Sequence, residues 1–227
     1  MASVKEGIAR SLPKGPPHVP VDARANERAS GPRARFLCDA TGRGGSGKGD
    51  ASLRGNDMHY PDLGTECQIA RGPRVRAVGW LAAGLDFGCG EIDGKVVEVL
   101  THLREEGWVH IAMPGIHECE LCHQAREARN ILVPSRDVLY VAPAMVIHYI
   151  AEHAYLPPSE FCAAVLGCPA PTTDAYYEEL RRFIDVYSVG HPVTAADFDR
   201  STRAHREWRE QIAANRRADA ERKRFTW

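Results

Sequence analysis

The sequence predicts an α+β fold: a small mixed sheet with packed helices, a flexible tail ahead of it and a helical extension behind it. Three observations carry this reading. Four short apolar runs, near Val75, Trp108, Asn130 and Asp137, have the length and boundaries of strands. Five stretches after Asp93, Pro143, Ser159, Thr173 and Thr194 read as helices, the earlier ones spacing their apolar residues at the helical period. The first 73 residues show neither pattern and hold 11 of the 20 glycines and seven of the 15 prolines. Such a segment cannot bury enough surface to offset the entropy of ordering it.

The chain therefore divides into a low-complexity tail (1–73), an α+β domain (74–170) and a helical extension (171–227). The tail is expected to be dispensable for folding. Within it, Gly42-Arg-Gly-Gly-Ser-Gly-Lys-Gly49 nearly spells a phosphate-binding loop. Gly49 stands where the magnesium-binding Ser or Thr belongs, no buried strand precedes the motif and no apolar helix follows it. It reads as a Gly/Ser linker.

In chain order, Arg74 to Leu81 alternates polar and apolar residues as a strand does. Asp93 caps a helix whose apolar face is Val96, Val97, Val99, Leu100 and Leu103, and Gly107 ends it. Trp108 to Met113 is a strand stopped by Pro114-Gly115, and Asn130–Val133 with Asp137–Val141 is a hairpin turning at Pro134-Ser135-Arg136. Pro143 suits the first turn of a helix running through Met145, Val146, His148 and Ile150 to about Glu152. Pro157-Pro158 ends that helix, and Ser159 opens a short one closed by Cys168-Pro169. A further helix spans Thr173 to Val186. The last starts at Thr194, with Asp197 as the acidic member of an imperfect capping box, and runs towards Arg217. Rich in Arg and Glu, it is expected to be exposed.

No window approaches the roughly 18 apolar residues of a membrane span, and the opening residues lack the apolar core of a secretory signal. A cytoplasmic location without a membrane partner is expected. Segments 1–73 and 195–227 each carry an excess of three positive charges, around a centre with an excess of seven negative ones. An acidic centre matches nucleic acid poorly, so no specific nucleic-acid partner is expected. Seven cysteines cannot all pair with one another. In a reducing compartment clustered Cys and His are more often metal ligands than bridges. The scattered Cys38, Cys67 and Cys89 read as ordinary thiols.

The chemical signal is Gly115-Ile-His-Glu-Cys-Glu-Leu-Cys-His123. Two cysteines separated by two residues can wrap one metal, because the turn between them aims both sulfurs at one point; thiolate and imidazole together are preferred zinc ligands. Cys119 and Cys122 supply half a tetrahedron. The other half must come from His117, His123, or the His148 and His153 of His-Tyr-Ile-Ala-Glu-His. His148 and His153 are five apart, about 140° around a helix, so both reach one ion only if the helix ends or tightens before His153. His117 adjoins the cysteines but can face the other way from an extended segment. The ligand set read from the sequence is Cys119, Cys122 and His148, with His153 or His117 fourth. A redox dithiol fits less well, since the flanking Glu residues raise rather than lower thiol pKa values.

The stretch from AVGWL through GIHECELC, NILVP and YVAPAMVIHYIAEHAYLPPSEFCAAVLGCP resembles an uncharacterised bacterial protein family, which pairs a His-x-Cys-x-x-Cys segment with a later HYIxxHxYxPPxxF block. The resemblance covers about 75–170. It implies that the thiol segment and the two-histidine segment belong to one unit, and it implies no activity. Three functions stay open. In a binding or accessory module four protein ligands close a structural zinc; this reading is preferred. In a zinc enzyme, three ligands leave a water of lowered pKa, with Glu118, Glu120 or Glu152 as base and Tyr149 or Tyr155 polarising a substrate. A defence or immunity-type protein with an unknown protein partner is compatible with the extra tails.

Overall fold

The computed structural model describes residues 59–109, 116–187 and 193–224. The phosphate-loop look-alike and most of the segment read as a tail lie outside the described residues. Elements run β1 (Val75–Ala77), α1 (Gly94–Glu106), β2 (His117–Glu118), β3 (Arg126–Glu127), β4 (Asn130–Ser135), β5 (Val138–Pro143), α2 (Val146–His153), α3 (Ser159–Gly167), α4 (Asp174–Arg181) and α5 (Ala195–Arg224), with a 3-10 turn at Ile184–Val186. The fold is α+β, with a small mixed sheet and helices packed on it.

In the three-stranded sheet the order is β1-β5-β4; β5 lies parallel to β1 and antiparallel to β4. Central β5 is buried from Leu139 to Pro143, which is why it reads as a continuous apolar run rather than an alternation. Helix α1 turns Val96, Leu100 and Leu103 inward, each such side chain contributing about 1.5–3 kcal/mol by leaving water. Asp93 caps it as expected, its carboxylate accepting from the Lys95 N–H at 2.9 Å. The α3 side chain Phe161 packs edge-on against Tyr140, and the Tyr176 hydroxyl of α4 donates to the Leu132 carbonyl at 3.0 Å.

Several local readings change. The hairpin between β4 and β5 turns at Arg136-Asp137, with Ser135 opposite Val138, so Pro134 sits inside β4. That strand is at the edge of the sheet, where a residue without N–H is tolerated. Pro143 ends β5 opposite Asn130 rather than opening a helix. After β1 the chain leaves the sheet at Gly79, whose φ is +73°. Trp108 is buried but lies in no strand, and residues 110–113 of that expected strand are outside the described residues. The helix expected over Thr173–Val186 breaks into α4 and the 3-10 turn, and α5 continues to Arg224. Cys89, read as an ordinary thiol, is disulfide-bonded.

The core also draws on residues before Val75. Cys67, Ile69 and Ala70 are at most 4% exposed. Leu63 N–H bonds to the Ala77 carbonyl at 2.7 Å and Ala77 N–H to that of Gly64 at 2.8 Å, which satisfies the outer edge of β1. At the other end of the chain, Tyr176, Leu180, Phe183 and Phe198 are buried. Trp108 joins α5 to this core, its ring 4.9 Å from Phe198 and its indole N–H donating to Ser201. Among the described residues no helix is long and apolar enough to cross a membrane.

Candidate metal centre

Strands β2 and β3 form a two-stranded ribbon that belongs to a separate sheet, with His117 opposite Glu127 and Glu118 opposite Arg126. Beyond it the Cys119 N–H bonds to the Ala125 carbonyl at 2.9 Å, and the His123 N–H closes a tight turn onto the Cys119 carbonyl at 2.7 Å. His123 takes the left-handed conformation, φ +56°, needed to turn the chain back into β3. The turn aims amides at sulfur: those of Leu121 and Cys122 at Cys119 Sγ, that of Gln124 at Cys122 Sγ at 3.4 Å. Such N–H groups favour a thiolate over a thiol.

Helix α2 supplies the opposite half. It buries Val146, Tyr149, Ile150 and His153, and stops because Ala154 enters the left-handed region, its N–H returning to the Tyr149 carbonyl. The Tyr155 N–H reaches the same carbonyl at 3.1 Å. The helix thus ends at His153 itself. From that last position the imidazole swings back towards His148, with ring centroids 5.0 Å apart and planes at 77°. The 140° separation is bridged by the side chains and not by an earlier helix end.

Cys119 Sγ, Cys122 Sγ, His148 Nε2 and His153 Nε2 now meet. All four ligand atoms lie within 4.8 Å of one another. Cys122 Sγ is 3.5 Å from Cys119 Sγ and 3.3 Å from His148 Nε2. His153 Nε2 is 3.3 Å from Cys119 Sγ and 3.2 Å from His148 Nε2. A zinc ion about 2.3 Å from sulfur and about 2.0–2.1 Å from nitrogen, at tetrahedral angles, would set these edges at about 3.8, 3.6 and 3.3 Å. The observed ring of contacts is within a few tenths of an ångström of that size. Cys119 is fully buried and His153 is 3% exposed.

The protonation chemistry suits a cation. Burial pushes the Cys119 thiol up to about 11 and holds His148 and His153 below the usual imidazole value. A buried dication reverses the first effect and exploits the second, because it binds thiolate and neutral imidazole. Without a bound cation the raised Cys119 pKa also opposes a nucleophilic dithiol, which requires a depressed one. The group could hold a metal ion.

The other sequence candidates are placed elsewhere. His117 lies against the edge of Trp80 at 5.5 Å and is outside the four-residue group. Its Nε2 has no hydrogen-bond partner among the described residues. His123 points outward to Glu118 at 3.1 Å. Glu118 is occupied by Arg126, Glu120 accepts the Ala83 N–H at 3.0 Å, and Glu152 is exposed. Tyr155 is buried, its hydroxyl donating to Asp62 at 2.7 Å while the second oxygen of Asp62 accepts the Gly79 N–H at 2.8 Å. Asp62 thereby anchors the chain just beyond α2. The sequence reading missed it because it lies in a stretch without apolar period.

Residues 58–166 match a family model described as a domain of unknown function (DUF7919). The matched segment contains all four converging residues and stops in α3, so α4 and α5 fall beyond it. No curated protein and no solved structure matches the chain.

Proposed function

We propose that this chain is a zinc-binding protein whose zinc is structural, clamping the Cys119–His123 turn to the end of α2 within a binding or accessory module. The supporting observation is the four-donor set of Cys119, Cys122, His148 and His153, spaced like the edges of a zinc tetrahedron. Four protein donors complete that coordination shell, whereas a catalytic zinc keeps one position for water. The carboxylates that would act as base are engaged elsewhere or face solvent. Two thiolates suit zinc better than magnesium or calcium, which take oxygen.

The test is metal analysis of protein prepared without chelator, followed by X-ray absorption at the zinc edge. About one zinc per chain is expected, with two sulfur neighbours at about 2.3 Å and two nitrogens at about 2.0–2.1 Å. Less than a tenth of an equivalent would overturn the reading. Three protein donors and a water oxygen would replace the module by the enzyme.

A further inference from the structure

We propose that Cys119 and Cys122 form a peroxide-responsive latch that releases the zinc by closing into a disulfide; this rests on the metal reading above. Their sulfurs are 3.5 Å apart in one tight turn, and a disulfide bond is about 2.05 Å. Closure therefore asks for an approach of about 1.5 Å between side chains of one short turn. The two differ in access: Cys122 is half-buried and Cys119 fully buried. Peroxide meets Cys122 first, and Cys119 is placed to resolve the product.

The Cys122 thiolate attacks one peroxide oxygen; an S–O bond forms, the O–O bond breaks and hydroxide leaves, giving the sulfenic acid. The Cys119 thiolate then attacks the Cys122 sulfur; the S–S bond forms, the S–O bond breaks and a second hydroxide leaves. Two solvent protons turn both hydroxides to water. The sulfurs lose two electrons and the peroxide gains them. Zinc is left with two imidazoles and dissociates. Because the β2–β3 ribbon lies in a separate sheet, losing the ion unclamps the ribbon tip from α2. Among the described residues the other free thiols, Cys67, Cys162 and Cys168, are poor competitors. Cys67 is buried and bonded to the Ala70 carbonyl, and burial raises the pKa of Cys162 and Cys168.

Full-length protein, its zinc content measured first, is titrated with hydrogen peroxide. Zinc release is followed with a chromogenic chelator and thiol pairing by peptide mass mapping. Two thiols should disappear for each zinc released, a Cys119–Cys122 disulfide should appear, and dithiothreitol with added zinc should restore both. A Cys162→Ser, Cys168→Ser double variant should release zinc at the wild-type rate. Zinc retained while other thiols oxidise, or zinc lost with Cys122 as sulfinic acid and no such disulfide, would overturn the latch alone. Protein holding no zinc before peroxide is added would overturn the metal reading and the latch with it.

Discussion

At residue scale the four histidines near the cysteines separate by what surrounds each ring. His148→Ala removes a donor from the centre, so zinc affinity should fall by more than the 10–100-fold typical of changes around a ligand. Stability should fall with it and recover partly as zinc is added; Tm measured across a zinc titration reads both. A core histidine would instead give two parallel curves, displaced by about 1–3 kcal/mol of cavity cost. His153→Ala should behave like His148→Ala, and His117→Ala should keep its zinc. His123→Gly should also keep full zinc, and Tm should hold or rise, since glycine relieves the left-handed strain at φ +56°.

His205 makes a separate prediction about pH. Burial, helped by Arg209, pushes it down to about 4, against about 6.5 in an unfolded chain. Its Nδ1 lies 3.0 Å from the Tyr177 hydroxyl, within hydrogen-bond reach. The folded pKa is depressed, so its contribution is complete above about pH 6.5 and is lost as pH falls towards 4. Tm measured from about pH 7.5 to about pH 4.5 should fall more steeply in wild type than in His205→Gln, where only this titration is missing. Equal slopes would remove His205 from the account.

At element scale, junctions matter more than helix lengths. Gly79 brings the chain off β1 against α2 with φ +73°, and an added Cβ would come 2.7 Å from Val146 Cγ2. Gly79→Ala combines backbone strain with a clash at the start of the ligand-bearing helix. It should cost more than about 2 kcal/mol in a denaturant melt. Helix α5 starts with a reciprocal cap: the Asp197 N–H donates to Thr194 Oγ1 at 3.2 Å and the Thr194 N–H to Asp197 Oδ2 at 3.3 Å. Thr194→Ala should cost about 1 kcal/mol and leave zinc content unchanged, because none of the four converging residues lies in α5 or its cap.

At the scale of the whole molecule, the segment expected to be an expendable tail contributes Asp62, Cys67, Ile69 and Ala70 to the packed fold. A chain starting at Gly72 loses Asp62, the bond partner of Tyr155 and Gly79, and the buried Cys67, Ile69 and Ala70. It should melt well below full length or lose its cooperative transition; a chain starting at Asp57 should keep zinc and a cooperative melt. Indistinguishable melts for the two would show that these contacts contribute little. Residues 213–224 of α5 are exposed on every side, so ending the chain at Ile212 should shift stability by no more than about 0.5 kcal/mol.

The sequence by itself determined the α+β class, most helix boundaries and the pool of candidate metal donors. Those features are local: a period of 3.6, a capping Asp93, a two-residue gap between cysteines. It could not choose between His153 and His117, since that depends on which way side chains point once β2 and α2 are packed. It placed Pro143 in a helix because proline fixes φ equally well for a helix start and a strand end; pairing with Asn130 across the sheet decides. It assigned residues 59–73 to the tail because Asp62 and Ile69 show no period. Their roles arise from contacts with partners such as Tyr155, 93 residues further along the chain. Spacing along the chain names the candidate donors, but only tertiary packing brings a ribbon turn and the last residue of a helix to one point.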